Sequence, residues 1–310
     1  MRILVTGANG LVGRAIVSKT YVGHEIIPVY HNKYDLLQWA HVSALFRDTR
    51  PDAVVHLAAK VGGVKANMAA PATFFMENCV MNTHVLEACL TYKVKKLVCF
   101  LSTCIFPDGL GVPLEPKLLH AGPPHDSNYG YAYAKRMLAV QCRAYNEQYG
   151  TNFVSVIPSN IYGPHDNFHP ENSHVVPALI LKFWEAHLAG KDVTLWGNGK
   201  PFREFIYSHD VANLCMKVLL EYARKDPIIL STGREHTIAE LAATIATSIG
   251  FKGQIHYDTS KPSGQYRKNS DNKPLLEQWP DYQFTDLTGG IGQTVSWFQR
   301  VYPYVRGIAL

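Results

Sequence analysis

Three glycines spaced three apart, Gly7, Gly10 and Gly13, join an aliphatic run, Arg2-Ile3-Leu4-Val5-Thr6, to a helical stretch. Glycine-rich turns are common in chains that bind nothing, so the strand-to-helix context gives this one its force. There the first glycine permits a tight turn, the second lets a diphosphate approach the backbone, and the third allows helix to pack closely on strand. The helix start then offers unpaired N–H groups and the positive end of the backbone dipole to an anion. The loop Gly7-Ala8-Asn9-Gly10-Leu11-Val12-Gly13-Arg14 is therefore the expected seat of a dinucleotide.

The first half of the chain continues that rhythm. Short β-branched runs at 3–6, 25–30, 53–58, 96–102 and 153–158 alternate with helical patterns at 14–20, 36–48, 72–92 and 129–149. Such alternation implies βαβ units: an α/β fold with a doubly wound parallel sheet of Rossmann type and helices on both faces. After residue 160 the rhythm loosens, with Pro164, Pro170 and Pro177 spaced through a polar loop. Helices are expected at 177–188, 210–223, 238–249 and 294–301, with short apolar runs at 193–196, 228–231 and 254–257. The expected division is a dinucleotide-binding domain over 1–162 and a smaller α/β lobe over 163–310, partly interleaved with it. A chain of 310 residues is long enough for both.

The formal charge of +5 comes from scattered lysines and arginines, which argues against nucleic acid and suits a small anionic substrate. No apolar run approaches the roughly 18 residues of a membrane span. Met1 leads straight into a strand-like run, so no targeting segment is expected. The six cysteines are dispersed and form no CxxC pair. They read as reduced thiols, and the expected location is cytoplasmic.

Tyr131 stands four residues before Lys135, which places both on one face of a helix, while Tyr133 points elsewhere. The lysine charge favours phenolate and is expected to lower the tyrosine's proton affinity. Such a phenol can exchange a proton with a carbonyl or alcohol oxygen while a nicotinamide moves hydride. Alone, the pair is an ordinary solvated helix face; the glycine loop upstream raises its meaning. The second strand closes on Val29-Tyr30-His31-Asn32-Lys33, with no carboxylate before Asp35 to grip a ribose 2′-hydroxyl. His31, Lys33 or Arg14 would instead face a 2′-phosphate, which points to NADP(H).

The glycine loop with Tyr131 and Lys135 resembles the extended short-chain dehydrogenase/reductase superfamily. That resemblance implies that Asp35 and Leu36 contact adenine and that Leu57, Ala58 and Ala59 line the cofactor. Ser102 would complete a Ser-Tyr-Lys set, and Pro158, Ser159, Asn160 and Ile161 would sit beside the nicotinamide. A narrower similarity is carried by Lys60-Val61-Gly62-Gly63, the Ser102–Pro107 run, Gly163–Pro170, Asn172–Pro177 and the Trp196–Phe205 run. These segments resemble the GDP-L-fucose synthase family, as far as about residue 270.

That family's substrate is GDP-4-keto-6-deoxy-D-mannose, epimerised at C3 and C5 and reduced at C4 by NADPH. The C4 ketone acidifies both neighbouring carbons, and inversion needs a base on one face and an acid on the other. The resemblance implies Cys104 as base and His174 as acid, with His174 also bordering the cofactor. It implies substrate contacts from Lys182, Trp196, Arg203 and Ser263, and a homodimer paired through helices 72–92 and 129–149. Ser263 stands where close relatives are expected to carry an acidic residue. The plainer readings are a small buried thiol for Cys104, a satisfied loop histidine for His174 and ordinary core for Trp196. Lys261, Arg267 and Lys268 form a basic loop with no assigned duty. His165, His169 and His174 invite a zinc reading, but Pro164 and Pro170 break any helix between them and no metal is expected. The rivals are another sugar-nucleotide enzyme, such as a 4-epimerase or a GDP-colitose synthase, and a non-catalytic dinucleotide-sensing scaffold.

Overall fold

The computed structural model describes residues 1–111, 113–261 and 265–308. Its first half runs β1 (Arg2–Thr6), α1 (Leu11–Val17), β2 (Glu25–Pro28), α2 (Trp39–Thr49), β3 (Ala53–His56), α3 (Val64–Ala69) and α4 (Pro71–Thr91). It continues with β4 (Lys96–Phe100), α5 (Tyr129–Tyr149) and β5 (Phe153–Pro158). Strands β1 to β5 join β9 (Ile228–Leu230) in a six-stranded sheet of order β2-β1-β3-β4-β5-β9. Every pairing within it is parallel. The chain leaves β1 for β2 on one side and returns to β3 on the other, so a crevice opens at the carboxyl ends of β1 and β3.

Both sheet faces are covered, which is why β3 and β5 are buried at every residue rather than alternately. One face packs Val12 and Ile16 of α1 against Val211, Leu214 and Leu219 of a later helix. The other packs Phe46 of α2, Leu86 of α4 and Leu138 of α5.

The second half adds β6 (Asn160–Tyr162), α6 (Val175–Ala189), β7 (Val193–Trp196), β8 (Phe202–Tyr207) and α7 (Ser208–Glu221). Beyond β9 come β10 (Glu235–Thr237), α8 (Ile238–Ile249), β11 (Ile255–Asp258), α9 (Lys273–Gln278) and α10 (Leu287–Val301). Strands β10, β8 and β6 make a small mixed sheet, and β11 pairs with β7. A separate core gathers Ile180 and Phe183 of α6, Leu241 and Ile245 of α8, and Ile291 and Phe298 of α10. By contrast α7, β9 and α9 bury Val211, Ile228 and Leu275 with the parallel sheet.

Elements α3, β6, β10 and α9 escape the sequence reading because three to six residues are too few to display a period. Helix α10 begins at Leu287, seven residues before the expected 294. Gly289, Gly290 and Gly292 lower its helix propensity, while Asp286 caps it by accepting the Gly289 N–H at 2.7 Å. Among the described residues no helix is long and apolar enough to cross a membrane.

Candidate active site

At the β1–α1 junction the backbone itself demands glycine. Gly7 has φ +68°, and a Cβ there would lie 2.8 Å from the Ala58 nitrogen. A Cβ on Gly13 would lie 2.3 Å from the Gly7 carbonyl oxygen. Gly10 caps α1 with no side-chain bond and no acidic residue fills the first turn, leaving the helix N-terminus open to a diphosphate. Arg14 Nε donates back to the Asn9 carbonyl at 3.3 Å. Thr6 Oγ1 accepts the N–H groups of Leu57 and Ala58, each at 3.2 Å, and so ties the end of β3 to the end of β1. With both acceptor positions filled, its hydroxyl donates to His56 Nδ1 at 2.8 Å, and His56 Nε2 then donates to Asn82 Oδ1 at 3.0 Å. Burial, reinforced by the Lys135 charge, pushes the His56 pKa down to about 3 and keeps the ring neutral.

Strand β2 ends at Pro28 with no carboxylate beside the crevice. Asp35, seven residues on, spends its Oδ1 on the Leu37 N–H at 3.0 Å, and Leu36 is buried. His31 and Lys33 are exposed, with Lys33 Nζ 5.2 Å from the Tyr34 ring centre. Pro158, Ser159, Asn160 and Ile161 cross from β5 into β6, where the Ser159 N–H donates to the Leu230 carbonyl at 3.0 Å.

Helix α5 brings Tyr131 and Lys135 onto one face, with Lys135 Nζ 5.9 Å from the phenol ring centre. Lys135 is 2% exposed and donates to the Phe100 carbonyl at 2.7 Å. Burial draws its ammonium down to about 8. Tyr131 packs edge-on against Phe74, and burial pushes its phenol above the usual value, with Cys104 adding to the rise. The lowering expected from Lys135 is not found: the cost of removing a phenolate from water dominates. Tyr133 lies on another face, its ring 5.4 Å from the Arg136 guanidinium.

After β4, Ser102 Oγ accepts the Cys104 N–H at 3.4 Å and caps a 3₁₀ turn over Thr103–Ile105. Cys104 is half-buried. Burial raises its thiol pKa, while Ser102, Lys268 and Lys135 pull it back only in part. The positive neighbours that a thiolate needs are present, yet the thiol keeps its proton.

A loop before α6 lies over this crevice, with the Asn172 backbone about one side-chain contact, 3.5 Å, from where a Cβ on Gly63 would stand. His174 occupies the N-cap position of α6. It is exposed, and partial desolvation by the surrounding protein draws its pKa below the usual value. Its fellow histidines serve other neighbours: His165 packs at a tilt against Trp297, and His169 Nδ1 accepts the Glu171 and Asn172 N–H groups. Among the described residues no cluster of His, Cys, Asp and Glu stands at metal-binding distances.

The remaining wall is a strap over residues 265–271. Phe202 N donates to the Tyr266 carbonyl at 2.8 Å, and Arg203 Nη1 donates to the Gln265 carbonyl at 2.8 Å. Buried Glu204 accepts the Ser270 N–H at 3.2 Å and its hydroxyl. At the far side the Leu114 N–H donates to Asn269 and its carbonyl accepts from Asp271, both at 2.9 Å. This strap carries Lys268 to a place where its charge acts on Cys104, Arg203 and Asp108. Lys182 donates to the Thr194 carbonyl on β7, and Trp196 shares that face at 66% exposure, so Trp196 is not core. Ser263 lies outside the described residues.

The NAD dependent epimerase/dehydratase family matches residues 3–233. The chain belongs to that family. Among curated relatives, a GDP-L-fucose synthase of Dictyostelium discoideum is 44% identical over 98% of this chain and 97% of its own length. A probable GDP-L-fucose synthase of Drosophila melanogaster is 42% identical, over 98% and 99%. The solved gdp-l-fucose synthetase of Naegleria fowleri bound to NADP superposes with a TM-score of 0.95 at 40% identity, over 98% and 94% of the two chains.

Family motifs do not reveal two features of the site. His56 and Asn82 give no sequence signal, because their link exists only once β3 and α4 are packed. Lys268 was visible as a charge in a basic loop, but its target is 164 residues away along the chain.

Proposed function

We propose that this chain is a GDP-L-fucose synthase, epimerising GDP-4-keto-6-deoxy-D-mannose at C3 and C5 and reducing its C4 ketone with NADPH. The observation that carries the reading is that the Cys104 thiol lies close enough to both the Tyr131 phenol and the Lys135 ammonium for their charges to interact. A plain reductase needs only the first two.

Bound NADPH supplies hydride to C4. Tyr131, protonated because burial holds its pKa up, gives its proton to the C4 oxygen, and Ser102 hydrogen-bonds that oxygen. Lys135, charged below about pH 8, stabilises the phenolate left behind. Before reduction, Cys104 and His174 act as base and acid at C3 and C5, the ketone holding the negative charge. Since the resting thiol is protonated and burial disfavours the His174 imidazolium, Cys104 must first release its proton to solvent and His174 take one up from it, and Lys268 and Lys135 stabilise the thiolate. Lys182, Trp196 and Arg203 would hold the GDP moiety. Residues 1–162 supply the NADP site and residues 163–310 the substrate lobe.

Incubation with GDP-4-keto-6-deoxymannose and NADPH should yield GDP-L-fucose by NMR; absence of NADPH oxidation would sink the reading. Tyr131→Phe should slow NADPH oxidation about 10³-fold while solvent deuterium still enters C3 and C5. Unchanged turnover would remove Tyr131 as the donor.

We also propose a cytoplasmic homodimer. Its six cysteines are all free thiols. The outer face of α4 and α5 exposes Phe75 (43%), Tyr133 (42%) and Val140 (49%) around a hollow of about 580 Å³. Light scattering should give twice the 34.6 kDa chain mass, and Phe75→Glu should halve it. A monomeric wild type would refute the dimer.

A further inference from the structure

The Cys104 turn is poorly secured by its own backbone. It is a single 3₁₀ turn of three residues, capped by a long 3.4 Å bond from Ser102, and its closing carbonyls have no helical partner. Arg136, on α5, fills that gap. Its Nε donates to the Ile105 carbonyl at 2.5 Å, and its Nη1 donates to the Gly122 carbonyl at 2.7 Å. Ile105 lies on the outgoing leg of the loop and Gly122 on the returning leg. The two legs also meet at the Pro107–Pro124 bridge and at the Asp108 N–H, which donates to Pro123 at 3.0 Å. At the other end of the segment, the adjacent residue Lys135 grips the Phe100 carbonyl. Consecutive helical residues point about 100° apart, so one turn of α5 clamps the Cys104 segment from both ends.

Arg136 is 6% exposed, and among the described residues no carboxylate pairs with it. A buried cation with the Tyr133 ring beside it but no carboxylate is an expensive way to fill space beside an apolar hollow. Its planar fork meets the two carbonyls from two separate nitrogens, a spread that neither an apolar side chain nor the single nitrogen of a lysine reproduces.

We propose that Arg136 is a positioning residue for the epimerisation step, tying both legs of the Cys104 loop to the helix that carries Tyr131 and Lys135. Thiol and phenol are thereby held in one register about the sugar ring. The assignment rests on the reading of Cys104 as a proton-transfer group.

The test measures solvent-deuterium entry into the keto sugar, NADPH affinity, and the primary isotope effect with deuterated NADPH. Arg136→Met should slow deuterium entry about 100-fold, the scale of an ångström's misplacement, with NADPH affinity unchanged. Its isotope effect should fall toward one, because epimerisation then limits turnover. A loss of folded protein alone would leave that ratio at its wild-type value, which overturns the proposal. Arg136→Lys, which keeps the charge and reaches one carbonyl, should fall between Met and wild type; equal loss in both variants overturns the two-carbonyl clamp. Cys104→Ser separates the two readings. Normal deuterium entry in Cys104→Ser refutes Cys104 itself, whereas blocked entry there with wild-type behaviour in Arg136→Met refutes only the role of Arg136.

Discussion

The glycine turn and the wall proposed to hold substrate are built in opposite ways. Between β1 and α1 the geometry is set by sterics among neighbours: Gly7 and Gly13 leave no room for a Cβ. Opposite it, the loops that carry Cys104, His174 and Lys268 have little regular structure and are held by scattered backbone bonds and by side chains, Arg136 and Glu204 among them. A turn fixed by backbone contact tolerates almost no substitution. A wall fixed by side-chain bonds can be loosened one contact at a time, so its parts are separable by mutation.

The largest expected effect therefore falls on the turn. Gly13→Val forces a branched side chain into a space where even a Cβ meets backbone at 2.3 Å. NADPH binding should weaken by on the order of 3 kcal/mol or more, read by fluorescence titration. Binding within about twofold of wild type would show that the turn is not tightly determined.

On the wall, Glu204→Ala strands the Ser270 N–H and hydroxyl and frees one end of the strap. Stability should fall by about 1–3 kcal/mol in urea unfolding. KM for the keto sugar should rise while NADPH affinity holds. A parallel loss of both affinities would mean that the two regions are not independent.

The smallest effect per measurement is a slope, at most about 1.4 kcal/mol for each pH unit. His56 sits in the dinucleotide region and Asp166 in the loop before α6, and burial moves both. The folded His56 takes its proton only near pH 3 rather than 6.5, so over that interval the unfolded chain binds more protons and stability drops as pH falls. The folded Asp166 keeps its proton to about pH 7 rather than 3.8, so there the folded chain binds more and stability drops as pH rises. Between pH 3.8 and 6.5 these slopes oppose each other, each at up to about 1.4 kcal/mol per pH unit. His56→Gln should leave stability falling with rising pH, and Asp166→Asn should leave it rising. Unfolding curves at stepped pH read both, and identical slopes in all three proteins would contradict the burial of either group.

The same contrast governs how much could be read in advance. The glycine spacing and the Tyr131–Lys135 interval are local, so the backbone periods of strand and helix carry them directly. Alternating apolar runs likewise pointed to the parallel sheet, since each helix must cover one face of it. Short elements such as β10 and α9 have no period to show, and α10 hid its first two turns behind three glycines. Trp196 illustrates the limit for single residues: its identity suggests core as readily as contact, and only its place on the open face of β7 decides.

The order of residues determined the fold class, the dinucleotide turn and the types of group available for chemistry, because those follow from interactions within a few residues. Tertiary structure alone decided where protons rest. Tyr131 is held protonated, Lys135 is drawn toward neutrality, and the Cys104 thiol keeps its proton between Lys268 and Lys135. Desolvation and Coulomb energy depend on distance through space, and the chain brings those groups together only when its remote loops close over one crevice.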